Sequence, residues 1–154
     1  MARSRGGKPA ELFLSHANSD RETAGAIAGT LRQHGIPVWF SSTNIQGAQQ
    51  WHDEIGAALA RCDWFLLLLS KKAVVRPWVK RELLFALNDR RYENRIMPVL
   101  LGACDWKRLS WTLGALQMIN MTRDVAAAYR EILATWGVGL DPSRCVTPRR
   151  PRRR

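Results

Sequence analysis

The sequence predicts a three-layer α/β fold built on a parallel sheet. Short apolar runs alternate with amphipathic segments along the chain, turn residues separate them, and the run WFLLLLS at 64–70 opens on six consecutive hydrophobic residues. A run of strand length with no polar alternation suits a strand buried on both faces, which requires helices on both sides of the sheet.

The elements follow in order. ELFLS at 11–15 reads as a buried first strand. A helix is expected from about Ser19, with Ser19 as N-cap and Glu22 completing a capping box, because Ala24, Ile27, Ala28 and Leu31 recur at helical spacing; Gly35 stops it. IPVWF at 36–40 is the second strand and SSTNIQGAQQ at 41–50 a polar loop. WHDEIGAALARC at 51–62 is a second helix with Trp51, Ile55, Ala58 and Leu59 on its inner face. After the central strand, KKAVVRP places Pro77 at the first helical position of WVKRELLFALNDRR. RIMPVLL at 95–101 is a fourth strand, and Pro98, lacking an N–H, places it near the sheet edge. The Trp-rich segment 104–112 is irregular. LQMIN at 116–120 is a weak last strand, and TRDVAAAYREILATWG at 122–137 is a closing helix ended by Gly137. Right-handed crossovers then favour a flavodoxin-like arrangement, five parallel strands in the order 2-1-3-4-5.

Charge divides the chain. The net charge is +11, but Arg3, Arg5, Lys8, Arg149, Arg150, Arg152, Arg153 and Arg154 lie at the ends; the other 16 basic residues face all 13 acids, leaving +3 for the body. Residues 1–10 are therefore expected to be a disordered basic N-terminus, 11–140 the domain, and 141–154 a disordered Arg/Pro-rich tail. Nucleic acid or an anionic surface is a partner only through that tail, in which no aromatic residue interleaves the arginines. No apolar run reaches the ~20 residues of a membrane span, so a cytoplasmic protein is expected. Cys62, Cys104 and Cys145 are read as free packing thiols, and His16, His34 and His52 have no metal-ligand spacing, so no metal is expected.

In the order 2-1-3-4-5 the first and third strands are neighbours whose helices leave to opposite faces, and the crevice at their C-terminal ends is the ligand site of such sheets. Ser15, His16 and Ala17 follow the first strand; Ser70 and Lys71 follow the third. Trp78 and Glu82, four apart, project from one face of the helix leaving the crevice. The bland alternative for Glu82 is an acid favoured by the helix dipole and paired with Lys80 or Arg81.

LFLSHANSD, GIPVWF with its polar loop, WHDEIGAALARCDWFLLLLS, the W-x-x-x-E stretch at Trp78 to Glu82 and RIMPVLL together resemble a bacterial TIR (Toll/interleukin-1 receptor) domain. The resemblance runs from about residue 11 to residue 137. It implies an NAD+ glycohydrolase or cyclase that breaks the nicotinamide–ribose bond and yields ADP-ribose or a cyclic isomer, serving in anti-phage defence, with NAD+ as substrate and no cofactor. It implies Glu82 as catalytic acid, and Ser15, His16, Ala17, Ser70, Lys71 and Trp78 around the substrate. Residues 41–50 match the BB loop, in which Ser41, Asn44, Ile45 and Gly47 are expected in homo-oligomeric TIR–TIR contacts, with a separate sensor or effector protein as a further partner. Ser41 stands where the family often has an acid. The alternative reading is a non-catalytic adaptor acting through TIR–TIR contacts. A response-regulator receiver, which needs an Asp at the end of the third strand, is excluded by Ser70.

Overall fold

The computed structural model describes residues 7–41 and 48–148. Its sheet is parallel throughout, β2-β1-β3-β4-β5, built from β1 (Leu12–Ser15), β2 (Val38–Trp39), β3 (Trp64–Leu69), β4 (Ile96–Leu100) and β5 (Ile119–Asn120). The helices are α1 (Arg21–Gln33), α2 (Ala48–Arg61), α3 (Pro77–Asn88) and α4 (Val125–Ala134). The strand order and three-layer architecture are those expected.

Strand alternation builds two cores. Leu12 and Leu14 of β1, with Trp64, Leu66 and Leu68 of β3, pack against α1 and α4. Phe13, with Phe65, Leu67 and Leu69, packs against α2 and α3. Every residue of β3 is buried, as its uninterrupted apolar sequence requires.

Local boundaries depart from those expected. The Ser19–Glu22 capping box does not form: the chain first makes a 3-10 turn at Asn18–Asp20, closed by the Asp20 N–H donating to the Ala17 carbonyl at 2.8 Å, so α1 starts only at Arg21. The edge strands are two residues each, shorter than the runs 36–40 and 116–120, because neighbours on one side alone leave little ladder to extend. The position of β4, one strand in from the edge, agrees with the reading of Pro98. The Arg95 carbonyl just before β4 accepts from the Phe65 N–H and the Leu101 N–H just after it donates to the Leu69 carbonyl, both on the β3 side, whereas the Leu100 carbonyl accepts from the Met121 N–H on the other side. Pro98 shares the parity of Leu100, and β5 begins opposite Val99, so the missing Pro98 N–H removes no ladder bond.

Both long α-helices on one face stop as read. Gly35 (φ 83°) and Gly137 (φ 72°) take the left-handed conformation, and the residue after each donates back to Leu31 and Leu133 respectively, both at 3.0 Å. α4 starts three residues later than expected, at a true cap: Asp124 Oδ1 accepts from the Ala127 N–H at 3.0 Å.

Beyond α4 the chain returns over α1. The Asp141 N–H donates to His34 Nε2 at 3.0 Å, His34 Nδ1 bonds the Thr30 carbonyl at 2.7 Å, and the Val146 N–H donates to Thr30 Oγ1 at 2.9 Å. Residues 141–148, assigned by sequence to the tail, are thus held by specific hydrogen bonds; Arg149 to Arg154 lie outside the described residues.

Nothing lies within 4 Å of a Cβ built on Gly137, so Gly137→Ala meets only the backbone penalty of its positive φ. It should lower unfolding free energy by about 1–2 kcal/mol with the m-value unchanged, measured by urea denaturation.

Candidate active site

The parity that assigns Phe13 to the α3 side assigns Ser15 to the same side, where α3 crosses the end of β1. Ser15 is 1% exposed and Glu82, one and a half turns into α3, is 6% exposed. The Ser15 hydroxyl donates to Glu82 Oε1 at 2.7 Å, joining residues 67 apart in sequence. Burial pushes the Glu82 carboxyl up to about 7, while the Ser15 hydroxyl and the Trp78 indole, by favouring the charged form, oppose that rise. No ion pair to Glu82 occurs among the described residues, and it lies beyond the first turn of α3. The bland reading of a dipole-favoured, Lys- or Arg-paired surface acid is therefore corrected: the side chain points into the protein, not along its own helix surface.

A cavity of about 480 Å³ opens between α2 and α3, lined by His52, Ile55, Leu59, Trp78, Arg81, Glu82 and Phe85. That volume lies in the range of small-molecule sites, and the lining is apolar except for His52, Arg81 and Glu82. Trp78, half-buried, is held between the His52 ring, edge-on at 5.8 Å between centroids, and the Arg81 guanidinium at 5.7 Å from its ring.

The loop after β1 contributes His16 and Ala17. His16 meets Phe40 edge-on at 5.8 Å, and burial pulls its pKa below the ordinary value. It sits directly after β1, next to Ser15. Ala17 is buried, its carbonyl spent on the 3-10 turn. On the β3 side, Ser70 donates to Asp20 Oδ2 and accepts from the Ala73 N–H, tying the two loops together across the crevice. Lys71 is exposed at its rim. Ser15, His16, Ala17, Ser70, Trp78 and Glu82 are thus gathered around one end of the β1–β3 pair. Ser41 is half-exposed at the end of the described segment; Asn44, Ile45 and Gly47 lie outside the described residues.

Sequence reasoning missed Asp20, His52 and Arg81. Asp20 reads as a residue of the α1 start, and only the 3-10 turn reveals it as the partner of Ser70. His52 on α2 and Arg81 on α3 meet Trp78 only through helix packing. The spacing of Trp78 to Arg81, three residues on one helix, was the available signal.

A family model described as TIR domain matches residues 12–133. The chain belongs to the TIR domain family. A TIR chain of this kind resembles the NAD(+) hydrolase PdTIR of Paracoccus denitrificans (strain Pd 1222), with 29% identity over 94 residues, 59% of this chain. The match spans 31% of that relative's length. In three dimensions it is similar to the TIR domain of the Toll-related receptor TRR-2 from Hydra magnipapillata, with TM-score 0.66 and 14% identity over 80% of this chain and 94% of that one. The second likeness concerns the fold alone. Among the described residues of this TIR domain no helix is long and apolar enough to cross a membrane, and Cys62, Cys104 and Cys145 are free. Burial pushes the Cys62 thiol up to about 12, which makes it a packing group.

The Glu82 carboxyl carries a pH signature. The native carboxyl holds its proton up to about 7 and an unfolded one only to about 4.5, so the native state binds more protons and wild-type stability falls as pH rises through that window. Glu82→Gln, which keeps an acceptor for Ser15, should be more stable than wild type by about 3 kcal/mol at pH 8, and the difference should vanish below about pH 4.5, read as paired urea titrations.

Proposed function

We propose that the chain cleaves the nicotinamide–ribose bond of NAD+, with Glu82 as the carboxylate that faces the ribose. The observation that carries this reading is a lone buried carboxyl, oriented by Ser15 and lining a cavity beside Trp78 at the switch point of the sheet. The likeness to an NAD(+) hydrolase supports it.

The chemistry needs little more. Nicotinamide leaves as a neutral molecule, so protonating the leaving group is not the obstacle. The cost lies in the positive, oxocarbenium-like charge that develops on the ribose. An ionised carboxylate removed from water stabilises that charge more strongly than one in solvent, and the Ser15 hydroxyl holds it in place without neutralising it. Trp78 supplies an aromatic wall, and Ser70 with Lys71 at the crevice rim meets the pyrophosphate. Water capture of the ribose gives ADP-ribose; capture by the adenine gives a cyclic isomer. Exclusion of water from the pocket decides between them. NAD+ is consumed as substrate, and the reaction calls for no cofactor or metal.

In this reading the protein acts in the cytoplasm in anti-phage defence. TIR–TIR contacts through residues 41–50, with Ser41, Asn44, Ile45 and Gly47, complete the site, and a separate sensor or effector protein couples it to its trigger. The Arg-rich tail is a nonspecific contact for nucleic acid or an anionic surface. Ser41, in place of an acid at the start of that loop, favours a second reading, a TIR scaffold without catalysis.

Concentrated protein incubated with NAD+ should release nicotinamide, followed by chromatography, and Glu82→Gln should lower the rate at least about 100-fold. Absence of release from a verified assembly favours the scaffold. Because the carboxylate is the working form, kcat/KM of the wild type should rise with pH and level off above about 7.

A further inference from the structure

The loops that follow β3 and β4 pack against each other through 3-10 turns at Ala73–Val75 and Trp106–Arg108, and the second of these packs on a third turn at Trp111–Ala115. They bring Lys71, Lys72, Lys107 and Arg108, all exposed, into one region of the C-terminal rim of the sheet. Between residues 70 and 81 there is no acid, and between 101 and 118 only Asp105. The body of the domain is nearly neutral, so this clustering is local and is distinct from the arginines at the chain end.

Two tryptophans belong to these turns, Trp106 beside Lys107 and Trp111 on the turn packed against it. The Trp106 ring lies over Gly114, where an added Cβ would stand 3.1 Å from the ring, and Lys107 Nζ is 5.8 Å from its centroid. Its orientation is fixed by the fold. Trp111 is 81% exposed, the most exposed of the large hydrophobic residues among those described. A tryptophan left in water, on a turn that packs against the one carrying Lys107 and Arg108, contributes nothing to the core. It is suited to stack a flat group carried by a polyanion.

We propose that this surface binds single-stranded nucleic acid, its cations following the phosphates and Trp111 stacking on a base. Lysines and arginines beside an accessible aromatic face are the two components of sequence-tolerant strand binding. A duplex buries the faces of its bases and offers Trp111 no partner. An anionic membrane would match the charge, but insertion needs a contiguous apolar face, and Trp111 is a single exposed ring. The surface shares Lys71 with the proposed pyrophosphate contact but does not include Glu82, so strand binding is tested at Trp111, Lys107 and Arg108, which the NAD+ reading does not use.

The test is fluorescence anisotropy of a labelled mixed-sequence single-stranded DNA titrated with the full-length chain, each variant checked for folding by circular dichroism. Wild type should bind with an affinity that falls as salt rises. Trp111→Ala should weaken binding about tenfold, and Lys107→Glu with Arg108→Glu should weaken it further and flatten the salt dependence. Changing Arg149, Arg150, Arg152, Arg153 and Arg154 to Ala should leave the Trp111 dependence in place. Trp111→Ala should release nicotinamide at the wild-type rate when no strand is present. The proposal is overturned if Trp111→Ala binds as tightly as wild type, or if only the tail substitutions abolish binding. A duplex bound as tightly as the single strand would also overturn it, as would Trp111-dependent capture of phosphatidylserine vesicles without strand binding.

Discussion

The hydrogen bond from Ser15 to Glu82 is the contact on which the site depends. A carboxyl group withdrawn from water beside a parallel sheet is costly in either protonation state unless a donor meets it, and here the donor comes from the last residue of β1. The bond exists only because strand alternation gives Ser15 the parity of Phe13. A one-residue slip of β1 would turn Ser15 toward α1, bring a leucine against the carboxyl, and expose both cores to mismatch. The register of β1 against β3, with Leu12 opposite Trp64 and Ser15 opposite Leu67, therefore secures packing and site together.

Two hydroxyl–carboxyl contacts span the elements around the crevice, and burial separates their roles. Ser15–Glu82 is deep, and loss of water raises the Glu82 pKa into the range where it titrates near neutral pH. Ser70–Asp20 lies at the rim, where it ties the loop after β3 to the turn before α1. The first contact sets the electrostatics of the pocket. The second joins two loops at the ends of β1 and β3.

The remote end of the chain is braced separately. Residues returning over α1 use Thr30, buried on that helix, and His34, buried just past its end, so that each has a partner. Val146 lies against Gly29, where a Cβ would stand 3.0 Å from it, which explains a glycine in mid-helix.

Periodicity and apolar content were enough, by themselves, to determine the strands, the helices, their order and the two glycine stops, because hydrophobic burial and left-handed backbone are local demands written in residue type. The crevice, with Ser15, Ser70, Trp78 and Glu82 around it, followed from strand order. Tertiary structure alone decided the rest. It replaced the Ser19 capping box with a 3-10 turn that frees Asp20 for Ser70, brought His52 to Trp78, and packed residues 141–148 on α1. It also decided that Glu82 is buried rather than ion-paired at the surface. Spacing along a helix tells which side chains share a face; what that face meets depends on how far the next element reaches over it, and that is a property of packing between residues distant in sequence.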